Sequence, residues 1–222
     1  MTTEEDIQIH VDNIINATFE TLQDVYDNSK ERNLNDNSQE EKTLDGTLSR
    51  IIFPHYSTKY RDAEIRLSEQ ELRFVFVEKF NQYCAFKNLP WYYSVETPTE
   101  EKYNQKDKTN LRVGEGESAM VDLTIHDKNS KRLALIEFKA LNPAEFCFEK
   151  DFLKLTNERV IEDCNTFFVM FVKNYDDGTI KSLKSKTETK GDTKFYCWSL
   201  EKKEQIDQKI VSSSINQEQP NL

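Results

Sequence analysis

Met120-Val121-Asp122-Leu123-Thr124-Ile125 and Leu135-Ile136-Glu137-Phe138-Lys139-Ala140 are two short runs of mostly β-branched and large apolar residues, a composition that suits a pleated, buried strand. Between them lies His126-Asp127-Lys128-Asn129-Ser130. Its Asp, Asn and Ser favour a turn, because their side chains can bond the backbone beside them. The segment therefore predicts a hairpin, residues 119–125 antiparallel to residues 133–139.

Each run carries residues that a buried strand should avoid. Asp122 interrupts the first, and Glu137 with Lys139 the second. Side chains alternate across a strand, so Glu137 and Lys139 point to one face, about 6 to 7 Å apart along it. A turn near residues 129–130 brings Asp122 opposite, or nearly opposite, Glu137. Charges removed from water need each other or a metal. Two adjacent carboxylates raise one another's pKa unless a cation stands between them. Oxygen ligands without a neighbouring His or Cys suit Mg²⁺ or Mn²⁺ better than zinc. Lys139 would then orient a water or help to deprotonate it, and offset charge on a phosphate. The bland alternative is a structural salt bridge on a half-exposed sheet face.

Acid-x-Lys strings also occur at Glu40/Lys42, Glu100/Lys102, Glu188/Lys190, Asp192/Lys194, Glu201/Lys203 and Asp207/Lys209. All of those lie in polar surroundings. Only Glu137/Lys139 sits inside an apolar run with an acid embedded in the run before it.

Working outward, Thr166–Val172 (TFFVMFV) reads as a strand buried on both faces, and Phe195–Leu200 as a last strand. Asn142-Pro143 opens a helix carrying Phe146, Phe152, Leu153 and Leu155, with Pro near the first turn where its missing N–H costs nothing. Ser68 and Glu71 form a capping box, followed by a helical face of Leu72, Val75, Phe76, Phe80, Tyr83 and Phe86 up to Pro90. Trp91–Val95 reads as a strand, and residues 97–116 and 173–194 as polar loops. Ile7, Val11, Ile14, Ile15, Leu22 and Val25 mark an N-terminal amphipathic helix. The segment from Asp27 to Gly46 reads as a linker. The expected organisation is an accessory helix and linker over residues 1–66, an α/β domain with a mixed sheet over 67–211, and a disordered tail over 212–222. The accessory helix either packs on the domain or contacts a protein partner or a second copy.

Val121-Asp122 followed by Glu137-Phe138-Lys139, in a helix–strand–strand–strand–helix–strand order, resembles the PD-(D/E)XK nuclease superfamily, the restriction-endonuclease-like fold. The likeness covers residues 68–172, and Val121 stands where the family usually has proline. It implies an αβββαβ core and Mg²⁺- or Mn²⁺-dependent phosphodiester hydrolysis of nucleic acid, DNA foremost. Asp122 and Glu137 would be the metal ligands, the main-chain carbonyl of Phe138 a further one, and Lys139 the residue that assists the water. Many members add an acid from the first core helix; here that is Glu71, with Glu78 second and Glu117 a lesser choice. Lys150 and Lys154 read chiefly as a solvated helix face.

The chain has 222 residues, 36% of them hydrophobic and 32% charged, enough for one good-sized core. Its net charge of −10 counts against a protein that coats nucleic acid, because such binding releases counterions from phosphates met by Lys and Arg. It leaves room for an enzyme that docks locally, and Lys173, Lys181, Lys184, Lys186, Lys190 and Lys194 offer a basic segment. No apolar run approaches a membrane span, and the acidic start lacks a signal-peptide pattern. Cys84, Cys147, Cys164 and Cys197 are scattered, which suits free thiols in the cytoplasm. A non-catalytic binding or regulatory protein on the same fold, or an RNA-cleaving one, is the competing expectation.

Overall fold

The computed structural model describes residues 4–31, 49–58, 61–104, 112–114 and 116–211. The tail expected over 212–222 and most of the expected linker lie outside these. The chain packs as two units, one of Met1–Gln8 with Pro90–Leu222 and one of Ile9–Leu89. The boundary expected at residue 66 thus falls inside the second unit.

The Ile9–Leu89 unit holds most of α1 (Glu4–Glu31), the hairpin β1 (His55–Thr58) and β2 (Arg61–Ile65), and α2 (Glu69–Lys87). α1 runs on past the expected stop near Tyr26. Its buried side chains include Val11, Ile14, Ile15, Phe19, Leu22, Val25 and Tyr26, at helical spacing. In α2 the buried set is Leu72, Val75, Phe76, Phe80 and Cys84. Phe86, placed on that face by sequence, is exposed. The capping box does not form as expected. Ser68 has the extended backbone of an N-cap but makes no cap bond, and its hydroxyl donates instead to Glu71 Oε2.

The larger unit is α/β, built on a mixed seven-stranded sheet among the described residues, in the order β4-β3-β5-β6-β7-β8-β9. The strands are β3 (Tyr92–Asn104), β4 (Arg112–Val113), β5 (Glu117–His126), β6 (Arg132–Ala140), β7 (Asn165–Val172), β8 (Lys194–Ser199) and β9 (Glu204–Gln205). β5 lies between β3 and β6 and is antiparallel to both, while β6, β7 and β8 run parallel. The expected hairpin is therefore present. Asp127 closes it, its Oδ1 accepting from Asn129 N and Lys131 N at 2.8 Å each. The parallel pairs are joined by α3 (Glu145–Glu162) and α4 (Asp177–Thr187), and α5 (Asp207–Val211) follows β9.

Phe148, Phe152 and Leu155 of α3, Leu183 of α4 and Ile210 of α5 share one core with Val121, Leu135, Phe168, Met170, Phe195 and Cys197. All eight residues of β7 are buried, as a central parallel strand requires.

Two stretches expected to be loops are not. β3 continues past Thr97 to Asn104, and α4 occupies the middle of the lysine-rich segment. β3 is bulged between Pro98 and Lys102. The bulge turns two N–H groups away from the ladder, and Glu158 of α3 accepts both, from Glu100 N at 2.9 Å and Glu101 N at 3.0 Å. Arg132 joins the same carboxylate at 3.5 Å. Thr99 Oγ1 accepts from Ala119 N at 2.9 Å, tying the bulge to the start of β5.

Candidate functional site

β5 and β6 carry the three residues singled out by the hairpin reading, and α3 packs against β6. The last β5–β6 ladder pair is Leu123↔Ile136. One residue further along, the Asp122 carboxylate takes over from the ladder: Phe138 N donates to its Oδ2 at 2.8 Å. Asp122 is thereby fixed beside the Glu137–Lys139 segment, and it is half-buried.

Glu137 is 1% exposed. Its Oε1 lies 2.5 Å from Lys154 Nζ, a hydrogen-bonded ion pair. Lys154, 3% exposed, also reaches Met120 O at 2.6 Å and Asp151 Oδ1 at 3.2 Å. Asp151 Oδ2 accepts the Lys139 ammonium at 2.8 Å. Three carboxylates and two ammonium groups thus converge from β5, β6 and α3.

Their electrostatics pull in different directions. Burial and then the Asp151 charge, with Asp122 adding less, hold the Glu137 carboxyl well above the usual carboxylate range, against the opposing pull of Lys154 and Lys139. Burial pushes Asp151 up, but Lys154 and Lys139 outweigh it and bring its pKa below the ordinary value. Burial works against both ammonium groups as well. Asp151 and Glu137 reverse the sign at Lys139, and Glu137 and Asp151 do so at Lys154, so both lysines sit above their usual range. A lysine so held is a charged donor and has no capacity to take a proton from water.

The donor set fits a hard divalent cation in chemistry. It consists of carboxylates and carbonyls, and it contains a deeply buried carboxylate, Glu137, that is held against a cation. No group of three or more His, Cys, Asp and Glu side chains is disposed to hold a metal among the described residues. A metal would draw on Asp122 and Glu137, with main-chain carbonyls and water completing the shell.

Glu71 belongs to the Ile9–Leu89 unit, where it is bonded to Ser68. In that unit too, Glu78 accepts from Ser49 Oγ at 2.8 Å. Glu117 is exposed at the start of β5. The expectation that Lys154 faces solvent is wrong, and Asp151 went unnoticed. Their signal was in the spacing. Asp151, Lys154 and Glu158 stand at i, i+3 and i+7, in phase with Phe148, Phe152 and Leu155, whereas the sequence reading put Phe146 and Leu153 on the apolar face beside Phe152 and Leu155. His126, at the end of β5, is half-buried and meets Ser94 Oγ at 2.7 Å.

Cys84, Cys164 and Cys197 are buried, Cys147 is half-buried, and none of the four is in a disulfide. No helix among the described residues is long and apolar enough to cross a membrane. Compared with known proteins, the chain matches no family model, no curated protein and no solved structure.

Proposed function

We propose that this chain is a metal-dependent nuclease of the PD-(D/E)XK type, hydrolysing phosphodiester bonds of nucleic acid, DNA foremost. One observation carries the reading: Asp122, Glu137 and Lys139 come together at adjacent strands, and the charges of Glu137 and Lys139 are met by side chains of a crossover helix. A bound Mg²⁺ or Mn²⁺ would polarise the phosphate and acidify a water. Asp122 and Glu137 would hold it. Lys139, kept protonated by Asp151 and Glu137, would stabilise negative charge on the scissile phosphate and orient the attacking water as a donor. Asp151 sets the position of that ammonium.

Cleavage of single- and double-stranded DNA and of RNA, with Mg²⁺ and with Mn²⁺, tests the proposal. Lys139→Met keeps the apolar stem and removes the charge. It should lower the rate by about 10² to 10³, with the melting transition still cooperative. Asp122→Asn and Glu137→Gln should abolish Mn²⁺ binding in calorimetry.

A second reading is a non-catalytic protein on the same fold. It is favoured by the two lysines that already neutralise the buried carboxylates. A wild-type protein inert on every substrate with both metals selects it.

A further inference from the structure

Lys154 is an unusual helix residue. Its ammonium is nearly sealed from water and has one oxygen for each of its three protons: Glu137 Oε1 at 2.5 Å, Met120 O at 2.6 Å and Asp151 Oδ1 at 3.2 Å. These oxygens come from β6, β5 and α3, so the position is set by three separate elements. Two carboxylates and a main-chain carbonyl are also the donors a hard divalent ion selects. The Glu137 Oε1 contact is the shortest of the three. Lys154 is the cation in contact with that oxygen, and a divalent ion would seek the same oxygen.

We propose that Lys154 is a built-in cation standing where a divalent ion would otherwise engage Glu137, so that metal entry requires the ammonium to be displaced. The inference rests on Glu137 being a metal-facing carboxylate, as in the function proposed above. Lys139 already serves the other oxygen of Asp151. Removing Lys154 therefore strips the cation mainly from Glu137 and from Met120 O. Two positive charges held a few ångströms apart in a buried pocket repel strongly. Lys154 thus weakens metal binding in the wild type, and in the metal-free protein it keeps the acids from repelling one another.

The test is titration of MnCl₂ into the wild type, Lys154→Met and the double variant Glu137→Gln/Lys154→Met, by calorimetry, with thermal melts in EDTA and in Mn²⁺. Methionine keeps the length and apolar stem of lysine without its charge. Lys154→Met should melt below the wild type in EDTA, recover in Mn²⁺, and bind Mn²⁺ about tenfold or more tighter. The double variant should lose that gain. If Lys154→Met folds only when Mn²⁺ is present, the substitution of one cation for another is demonstrated directly. Affinity no tighter than wild type, or failure to fold with and without Mn²⁺, overturns the proposal. A wild type inert on nucleic acid leaves the Lys154 result standing, whereas an unchanged Lys154→Met affinity leaves any cleavage by the wild type intact. The two readings therefore fail separately.

Discussion

Asp151 is the residue on which the charge balance turns, since its two oxygens meet two different ammonium groups, Lys139 at 2.8 Å and Lys154 at 3.2 Å. Removing one partner of a buried pair leaves uncompensated charge, which costs about 3 to 5 kcal/mol. Asp151→Ala should lower stability by that amount in urea unfolding at neutral pH. The pH profile separates Asp151 from Glu137, because their shifts have opposite signs. With its pKa depressed, Asp151 stabilises the fold above the ordinary carboxylate value, near 4, and loses that contribution as pH falls through its lower folded value. Glu137 has a raised pKa, so the folded protein keeps a proton that the unfolded chain releases. Its share of stability therefore falls as pH rises from about 4.3 through the folded value. Glu137→Gln should flatten that fall, measured as urea midpoints across the acid-to-neutral range; an unaltered slope would mean that another group sets it.

Helix α3 carries as much of the site as the hairpin does, and the two were unequally legible. Asp122, Glu137 and Lys139 stood out because a charge inside an apolar strand is conspicuous at a period of two. β7 was legible for the same reason, being apolar throughout. On α3 the period is 3.6 and every third or fourth residue is charged, so Asp151, Lys154 and Glu158 resembled an ordinary wet face until packing fixed the phase. β3 beyond Thr97 was hidden because its pairing depends on a bulge and on Glu158, both products of tertiary structure. α4 was hidden among lysines, although Asp176 caps it by accepting from Thr179 N at 2.7 Å. Glu158 offers a direct test at this level. Glu158→Ala removes the acceptor for two main-chain N–H groups and a partner of Arg132, at a cost of about 2 to 4 kcal/mol. Hydrogen exchange at Glu100 and Glu101 should accelerate well beyond that at Thr124, inside the β5 ladder. Uniform acceleration along the sheet would mean that Glu158 supports the whole fold and has no special hold on the bulge.

For the molecule as a whole, the charge of −10 sets how a nucleic acid could be engaged. The long-range field repels phosphate, so attraction has to come from a local surface. In the lysine-rich segment, Lys186 is committed to Asn142 Oδ1 and Pro143 O, at 2.6 Å each, whereas Lys181 of α4 is exposed. Exposed Lys173 follows the end of β7. Each phosphate met by a lysine contributes a slope of about −0.9 to the dependence of log affinity on log salt. Two contacts therefore predict a slope of roughly −2. Fluorescence anisotropy of a labelled duplex with the cleavage-impaired Lys139→Met variant, over a range of salt concentrations, would measure it. Lys173→Ala with Lys181→Ala should flatten the slope by roughly 1.8 and weaken binding equally on unrelated sequences, because phosphate contacts carry no base information. A slope that the double substitution leaves unchanged would remove both lysines from the interface. One as steep as about −6 would require far more phosphate contacts than α4 and Lys173 can provide, and would move the docking surface elsewhere.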